Sequence, residues 1–237
     1  MSAIRSAPQT PLLPPPMPPL EPGDCLTREE FERRYDAMPD VKKAELIEGV
    51  VHMPSPVRFH NHAGPHADLI TWLGVYRSAT IGVRHGDNGT VHLDLENAPQ
   101  PDAMMIVLPE YGGNAAISSD DFVERAPEFV AEIAASSVSI DLNAKQRIYR
   151  RNQVREYLVW RVQDAAIDWF VLRNSQYERL QPDAAGVIRS EAFPGLWLAT
   201  AAMVACDLAG VLQVLQQGLA TPEHAAFARR LQQAKRA

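Results

Sequence analysis

Residues 127–151 read PEFVAEIAASSVSIDLNAKQRIYRR, and this stretch decides the fold. Phe129, Val130, Ala131, Ile133, Ala134 and Ala135 form a run without turn residues, the pattern of a strand covered on both faces. One carboxylate, Glu132, interrupts it. A buried carboxylate without a partner is costly or is neutralised by a shifted pKa, so Glu132 calls for a cation, a metal or a proton beside it. The bland alternative is an edge strand with one solvated face. Past the strand, Asp141 opens a helix running to about Asn152.

A second acid, Asp102, stands directly after Pro101 at the mouth of another apolar strand, PDAMMIV. Pairing the two strands brings both carboxylates together at one sheet edge. Like charges at that distance repel, and a divalent cation is the ordinary remedy. Carboxylates with water completing the shell suit Mg²⁺ or Mn²⁺ better than zinc. Lys145, one turn into the following helix, can reach the same place and orient a water, which outlines a hydrolytic site. Read blandly, Asp102 is a turn former and Lys145 an intrahelical partner of Asp141, four residues earlier.

Outward from these strands, Thr27 and Glu30 make a capping box for a helix to about Tyr35. AELIEGVVHMP reads as a strand with its turn at Gly49, and SPVRFHNHAGP as a loop. Leu69, Trp72, Leu73 and Tyr76 have helical spacing. IGVRHG and GTVHLDLE, joined by Asp87-Asn88-Gly89, read as a hairpin. EYLVWRV, AIDWFVLR and QYERL are consecutive strands, VIRSEAFPGLWL is one more, and Thr221-Pro222-Glu223 opens a last helix. Strands interrupted irregularly by helices give a mixed α/β or α+β sheet rather than a regular βαβ series.

Residues 1–26 read as a proline-rich, disordered or polyproline tail, in which PPPMPP has the spacing of a docking segment for an aromatic groove. Residues 27–200 form the main domain and 201–237 a helical extension. The weakly polar run from Gly195 to Leu215 approaches the length of a membrane span, but Asp207 and the opening PGLWL favour a strand followed by a packed helix. Cys25 and Cys206 stand in no metal or redox spacing, which argues against a disulfide framework and for a reducing cytoplasm.

A net charge of −6 argues against a surface that binds nucleic acid non-specifically over its whole extent. The positive charge is local, with Lys145, Arg147, Arg150, Arg151 and Arg155 in one segment. Ile148 and Tyr149 should face the core, leaving Arg151 and Arg155 as phosphate contacts. His60, His62 and His66 offer a competing reading as a zinc site. Gly64 and Pro65 between the last two argue against one helical face, and His62 instead caps the next helix or meets a substrate.

The ordered set AELIEG, His62 followed by Leu69 and Leu73, QPDAMMIV, APEFVAEIAASS, DLNAK with Tyr149 one turn on, VREYLVW and FPGLWL resembles the Uma-two family of restriction endonucleases. The resemblance covers about Thr27 to Trp197 and beyond. It implies a restriction-endonuclease-like core and a cytoplasmic Mg²⁺- or Mn²⁺-dependent DNA endonuclease, with a homodimer allowed and no membrane partner. Asp102, Glu132 and the Ile133 carbonyl would hold the metal, Lys145 would be the catalytic lysine displaced onto the next helix, and Glu45 would complete the site. Ala134 occupies the usual lysine position. Gln153 stands where the family often has glycine, and Arg161 where many members have aspartate. A degenerate nuclease fold used as a binding or regulatory module is the alternative from another class.

Overall fold

The computed structural model describes residues 17–53 and 58–235. In chain order it contains α1 (Arg28–Asp36), β1 (Glu45–Ile47), β2 (Val50–His52), α2 (Gly64–Ala79), β3 (Val83–Gly86), β4 (Val91–His92), β5 (Ala103–Val107), β6 (Ala116–Ile117), β7 (Val123–Glu124) and β8 (Phe129–Ala134). There follow α3 (Val138–Ile140), α4 (Gln146–Arg151), β9 (Glu156–Arg161), β10 (Ala166–Arg173), β11 (Gln176–Arg179), β12 (Val187–Arg189), β13 (Trp197–Ala199), α5 (Thr200–Val204), α6 (Leu208–Leu219) and α7 (Pro222–Ala234).

A six-stranded sheet in the order β11-β10-β9-β8-β5-β3 forms the centre. Within this sheet only β8 and β9 pair in parallel, joined by a crossover through α3 and α4; its other neighbours are antiparallel. Helices on both sides explain why β8 is buried at every position. Phe129, Ala131 and Ile133 pack with Trp72 of α2, Trp169 and the C-terminal residues Val211, Leu215, Phe227 and Leu231. Val130 and Ala134 pack on the opposite face with Ile148, Tyr149 and Tyr157.

Several expectations change in the structure. Asp87-Asn88-Gly89 turns the chain, with Asn88 at φ 52°, but closes no hairpin. β3 gives its ladder to the long buried β5, and β4 pairs with β7 in a separate sheet. The run VIRSEAFPGLWL is two strands, β12 and β13, paired antiparallel across a turn. Gly195 in that turn has φ 89°, and a Cβ there would lie 2.8 Å from His224 Cβ. The buried Glu156 carboxylate ties the turn down, accepting from Ser190 Oγ and the Glu191 and Ala192 amides.

Of the expected loop before α2, residues 55–57 lie outside the described residues, and Phe59–Ala63 form a π-helical turn running directly into that helix. Pro65 follows as the second residue of α2. Of the expected tail, residues 1–16 and hence the first half of PPPMPP lie outside the described residues. Leu20 is buried with Phe31 and Leu46, and Gly23 and Leu26 donate backbone bonds to Val51 and Gly49. Apolar contact and backbone pairing therefore order the chain well before α1. Among the described residues no helix is long and apolar enough to cross a membrane.

Candidate active site

Ala103 pairs with Ala131 in the β5–β8 register, so one step further Asp102 lies opposite Glu132. Side chains alternate along a strand, which puts Asp102 with Met104, and Glu132 with Val130 and Ala134, on the face covered by α4. The two acids thus meet at strand ends in the middle of the sheet and not at its edge, since β5 and β8 are both interior strands. Pro101, opposite Ile133, has no N–H for the ladder. The Ile133 amide instead donates to Asp102 Oδ2 at 2.8 Å, and its carbonyl faces a position without an amide donor.

The helix after β8 starts at Val138, three residues earlier than the sequence suggests, and widens to a π-helical turn over Asp141–Lys145. Asp141 is therefore inside the helix and buried, with Ser137 Oγ donating to its Oδ2 at 2.5 Å. The π turn directs Lys145 into the protein, where Nζ lies 2.9 Å from Glu45 Oε1, 3.0 Å from Glu132 Oε1 and 3.8 Å from Asp141 Oδ1. Tyr149, one turn on, donates its hydroxyl to Glu132 Oε1 at 2.9 Å. Glu45 Oε1 also accepts the Gln100 amide at 2.8 Å.

Three carboxylates share one buried ammonium, and their charge states follow. Burial alone would lower the Lys145 ammonium, but Glu132, Glu45 and Asp141 outweigh it and hold it well above its ordinary value. Burial raises the Glu132 carboxyl, with Asp141, Asp102 and Glu45 adding to the shift against the pull of Lys145. Burial raises Asp141 as well. One ammonium offsets only one of these charges, so the cluster tends to keep a proton. Asp102 behaves in the opposite way: burial opposes ionisation, but the His62 hydrogen bond, Lys43 and the Ile133 amide hold its carboxyl well below the usual range. Two adjacent carboxyls thus have pKa values pushed apart, a pattern that suits acid–base chemistry.

The family model described as "Putative restriction endonuclease", Uma2, matches residues 28–201. The chain belongs to the Uma2 family. A crystal structure described as "a putative nuclease belonging to DUF820" from Anabaena variabilis ATCC 29413 is similar, with a TM-score of 0.50 and 12% identity, covering 79% of this chain and 97% of that one. At that identity the likeness speaks for the fold, a restriction-endonuclease-like α+β core. No curated protein matches the sequence significantly. The activity class that goes with the Uma2 family is nuclease.

In this Uma2 domain Asp102, Glu132, Lys145 and Glu45 come together, and the Ile133 carbonyl faces the same side. His62 reaches Asp102 Oδ2 at 3.2 Å, so it contacts an acid rather than capping a helix. His66 Nε2 lies 2.7 Å from the Asp102 carbonyl oxygen. These two histidines share a face because the π turn and α2 are one continuous helix, which Gly64 and Pro65 do not interrupt. His60 is exposed and packs edge-on against Phe59, so the three do not form a zinc site. Ile148 and Tyr149 are buried as expected. Arg151 ends α4 and pairs with Asp94 at 3.3 Å. Arg155 precedes β9, four residues before Val159, the partner of Glu132, and so sits about 13 Å along the strand from the acids.

Sequence reasoning missed Lys43, whose Nζ lies 3.2 Å from Asp102 Oδ1, and the hydroxyl of Tyr149 as a donor to Glu132. Lys43 stands two residues before Glu45, so the period of an extended chain was the available signal. The donors are right in type for a hard divalent ion: opposed carboxylates and a carbonyl without a ladder partner. In their present positions, among the described residues, no three His, Cys, Asp or Glu side chains are grouped as a metal shell. Ammonium groups of Lys43 and Lys145 stand on the oxygens instead.

Proposed function

We propose that this chain is a divalent-metal-dependent endonuclease that hydrolyses DNA phosphodiester bonds. The observation that carries the reading is the opposition of Asp102 and Glu132 on one face, with Lys145 Nζ 3.0 Å from Glu132. Asp102, Glu132 and the Ile133 carbonyl would hold Mg²⁺ or Mn²⁺. When bound, such an ion lowers the pKa of a coordinated water and stabilises negative charge on a phosphate. Lys145 is held by Glu45 and Glu132, so its third N–H can orient the attacking water or donate to the developing anionic oxygen. Tyr149, kept neutral by burial, holds Glu132 in place through its hydroxyl. Arg151 and Arg155 would meet flanking phosphates rather than the scissile one.

Supercoiled plasmid incubated with purified protein in EDTA, Mg²⁺ and Mn²⁺ tests this. Nicking that needs the ion and disappears in Asp102→Asn and Glu132→Gln supports it, and equal nicking by those variants sinks it. A second reading, a nuclease fold that binds without cleaving, draws on the lysines standing on the carboxylate oxygens. It predicts DNA binding with no turnover in any metal.

A further inference from the structure

Both oxygens of the Asp102 carboxylate are engaged by the protein itself. Oδ1 accepts from Lys43 Nζ at 3.2 Å; Oδ2 accepts the Ile133 amide at 2.8 Å and faces His62 Nε2 at 3.2 Å. Of these partners Lys43 is the one that can leave. The Ile133 amide is fixed by β8, and His62 by the helix that also carries His66 onto the Asp102 backbone. Lys43 lies in an irregular segment before β1, and its side chain is 23% exposed. Its other partner, Asn88 Oδ1 at 2.9 Å, sits on an exposed turn. Lys145 is the contrast, a 5% exposed side chain held by two carboxylates within 3.0 Å.

We infer that Lys43 is the resident counter-cation of Asp102, that a divalent ion must displace it from Oδ1, and that the freed ammonium then serves as a phosphate contact beside the site. A metal at about 2.1 Å from the same oxygen would stand within a few ångströms of the ammonium, and like charges so placed exclude one another. A flexible four-carbon stem with access to water lets Lys43 swing away at little cost. The phosphate contact rests on the nuclease reading, whereas the cation exchange does not.

Calorimetric titration of EDTA-stripped protein with Mn²⁺ is the test, comparing the unmodified chain, Lys43→Met and the exposed neighbour control Lys42→Met. Removing a like charge a few ångströms from the ion should tighten Mn²⁺ binding about tenfold or more in Lys43→Met. Lys42→Met should change it less than about twofold, since a solvated charge is screened. Unchanged or weaker binding in Lys43→Met, equal tightening in Lys42→Met, or no Mn²⁺ uptake by the unmodified chain overturns the exchange. If Lys43→Met does not fold, ¹⁵N-lysine spectra of the unmodified protein decide: Mg²⁺ should release the Lys43 ammonium signal to fast exchange and leave Lys145 protected, and a Lys43 signal that stays protected overturns the proposal. Binding of a short duplex in Ca²⁺ should weaken severalfold in Lys43→Met while metal binding tightens, a pair of opposite effects that a structural defect does not produce. Undiminished duplex binding overturns the phosphate contact alone. A chain that binds Mn²⁺ but no DNA sinks the nuclease reading and leaves the exchange to be judged by calorimetry.

Discussion

Asp102 and Glu132 face each other across one step of the β5–β8 register, yet their surroundings push the two carboxyls in opposite directions. The Asp102 carboxyl is lowered against burial by His62 and Lys43, and that of Glu132 is raised by burial. Replacing each should therefore act differently on the metal-free protein. Glu132→Gln keeps shape and removes a carboxyl that burial already disfavours as an anion, so its melting temperature in EDTA at pH 8 should equal or exceed that of the parent. Asp102→Asn leaves Lys43 and His62 facing a neutral amide and should melt lower. Both should lose ion-dependent DNA cleavage. Differential scanning calorimetry beside the plasmid assay checks the pair of effects.

Among the described residues Lys145 is the one ammonium within 4 Å of Glu45, Glu132 and Asp141. Lys145→Met would leave these buried acids without their cation, a change that costs about 3–5 kcal/mol in comparable buried pairs. Urea unfolding in EDTA should show that loss, and it should shrink at low pH, where the acids are protonated. A loss under 1 kcal/mol, roughly the value of an exposed pair, would contradict the buried cluster.

The raised Glu132 carboxyl fixes the direction of a pH effect. Its folded pKa, pushed up to about 8, lies above the ordinary value of 4.5. Between those values the folded protein holds a proton that the unfolded chain has released. The metal-free protein should then lose stability as pH rises through this window and level off above it. Unfolding curves in EDTA from pH 5 to 9 should show a slope of that sign, and Glu132→Gln should flatten it. A slope of opposite sign would place the proton elsewhere.

Much of this was legible in the sequence, and the failures share a cause. β8 and its intrusive acid were visible because a fully covered strand has an unbroken apolar run, and the order of elements around it followed from punctuation. Asp87-Asn88-Gly89 misled because turn residues specify a reversal but not which strand takes the ladder, and β5 offered β3 a buried partner. The π turns at Phe59–Ala63 and Asp141–Lys145 have no period of their own in sequence, so one looked like a loop and the other like an ordinary helix start. Lys43 and Tyr149 were missed as site contacts because what they touch depends on how β1, β5, β8 and α4 are arranged.

Gln153 adopts φ 67° in the turn between α4 and β9. A side chain in that region is strained, and glycine is not. Gln153→Gly gives up one exposed hydrogen bond to the Arg150 carbonyl at 3.3 Å and some unfolded-state entropy. The balance should favour the variant by about 0.5–1 kcal/mol. For a chain of this size that is roughly 1–4 °C in melting temperature, measurable by calorimetry with the active-site residues untouched. A decrease would show that the Gln153 side chain anchors the turn.

The last expectation concerns how a chain of net charge −6 holds a polyanion. Arg151 is already paired with Asp94, whereas Arg155 is exposed and lines a cleft with Arg125, Asn152 and Gln153. That cleft lies along β9 from the acids, where the backbone of a bound duplex would continue past the cut. Arg155→Ala should therefore flatten the log–log salt dependence of duplex binding in Ca²⁺ by roughly 0.9, the value of one phosphate contact. Arg151→Ala should change it less, because removing this arginine also frees Asp94 to repel the duplex without removing a free cation. Affinity should fall in Arg155→Ala for every duplex sequence alike, since phosphate contacts carry no sequence information. Equal salt slopes for the parent chain and Arg155→Ala would remove this cleft from the binding surface.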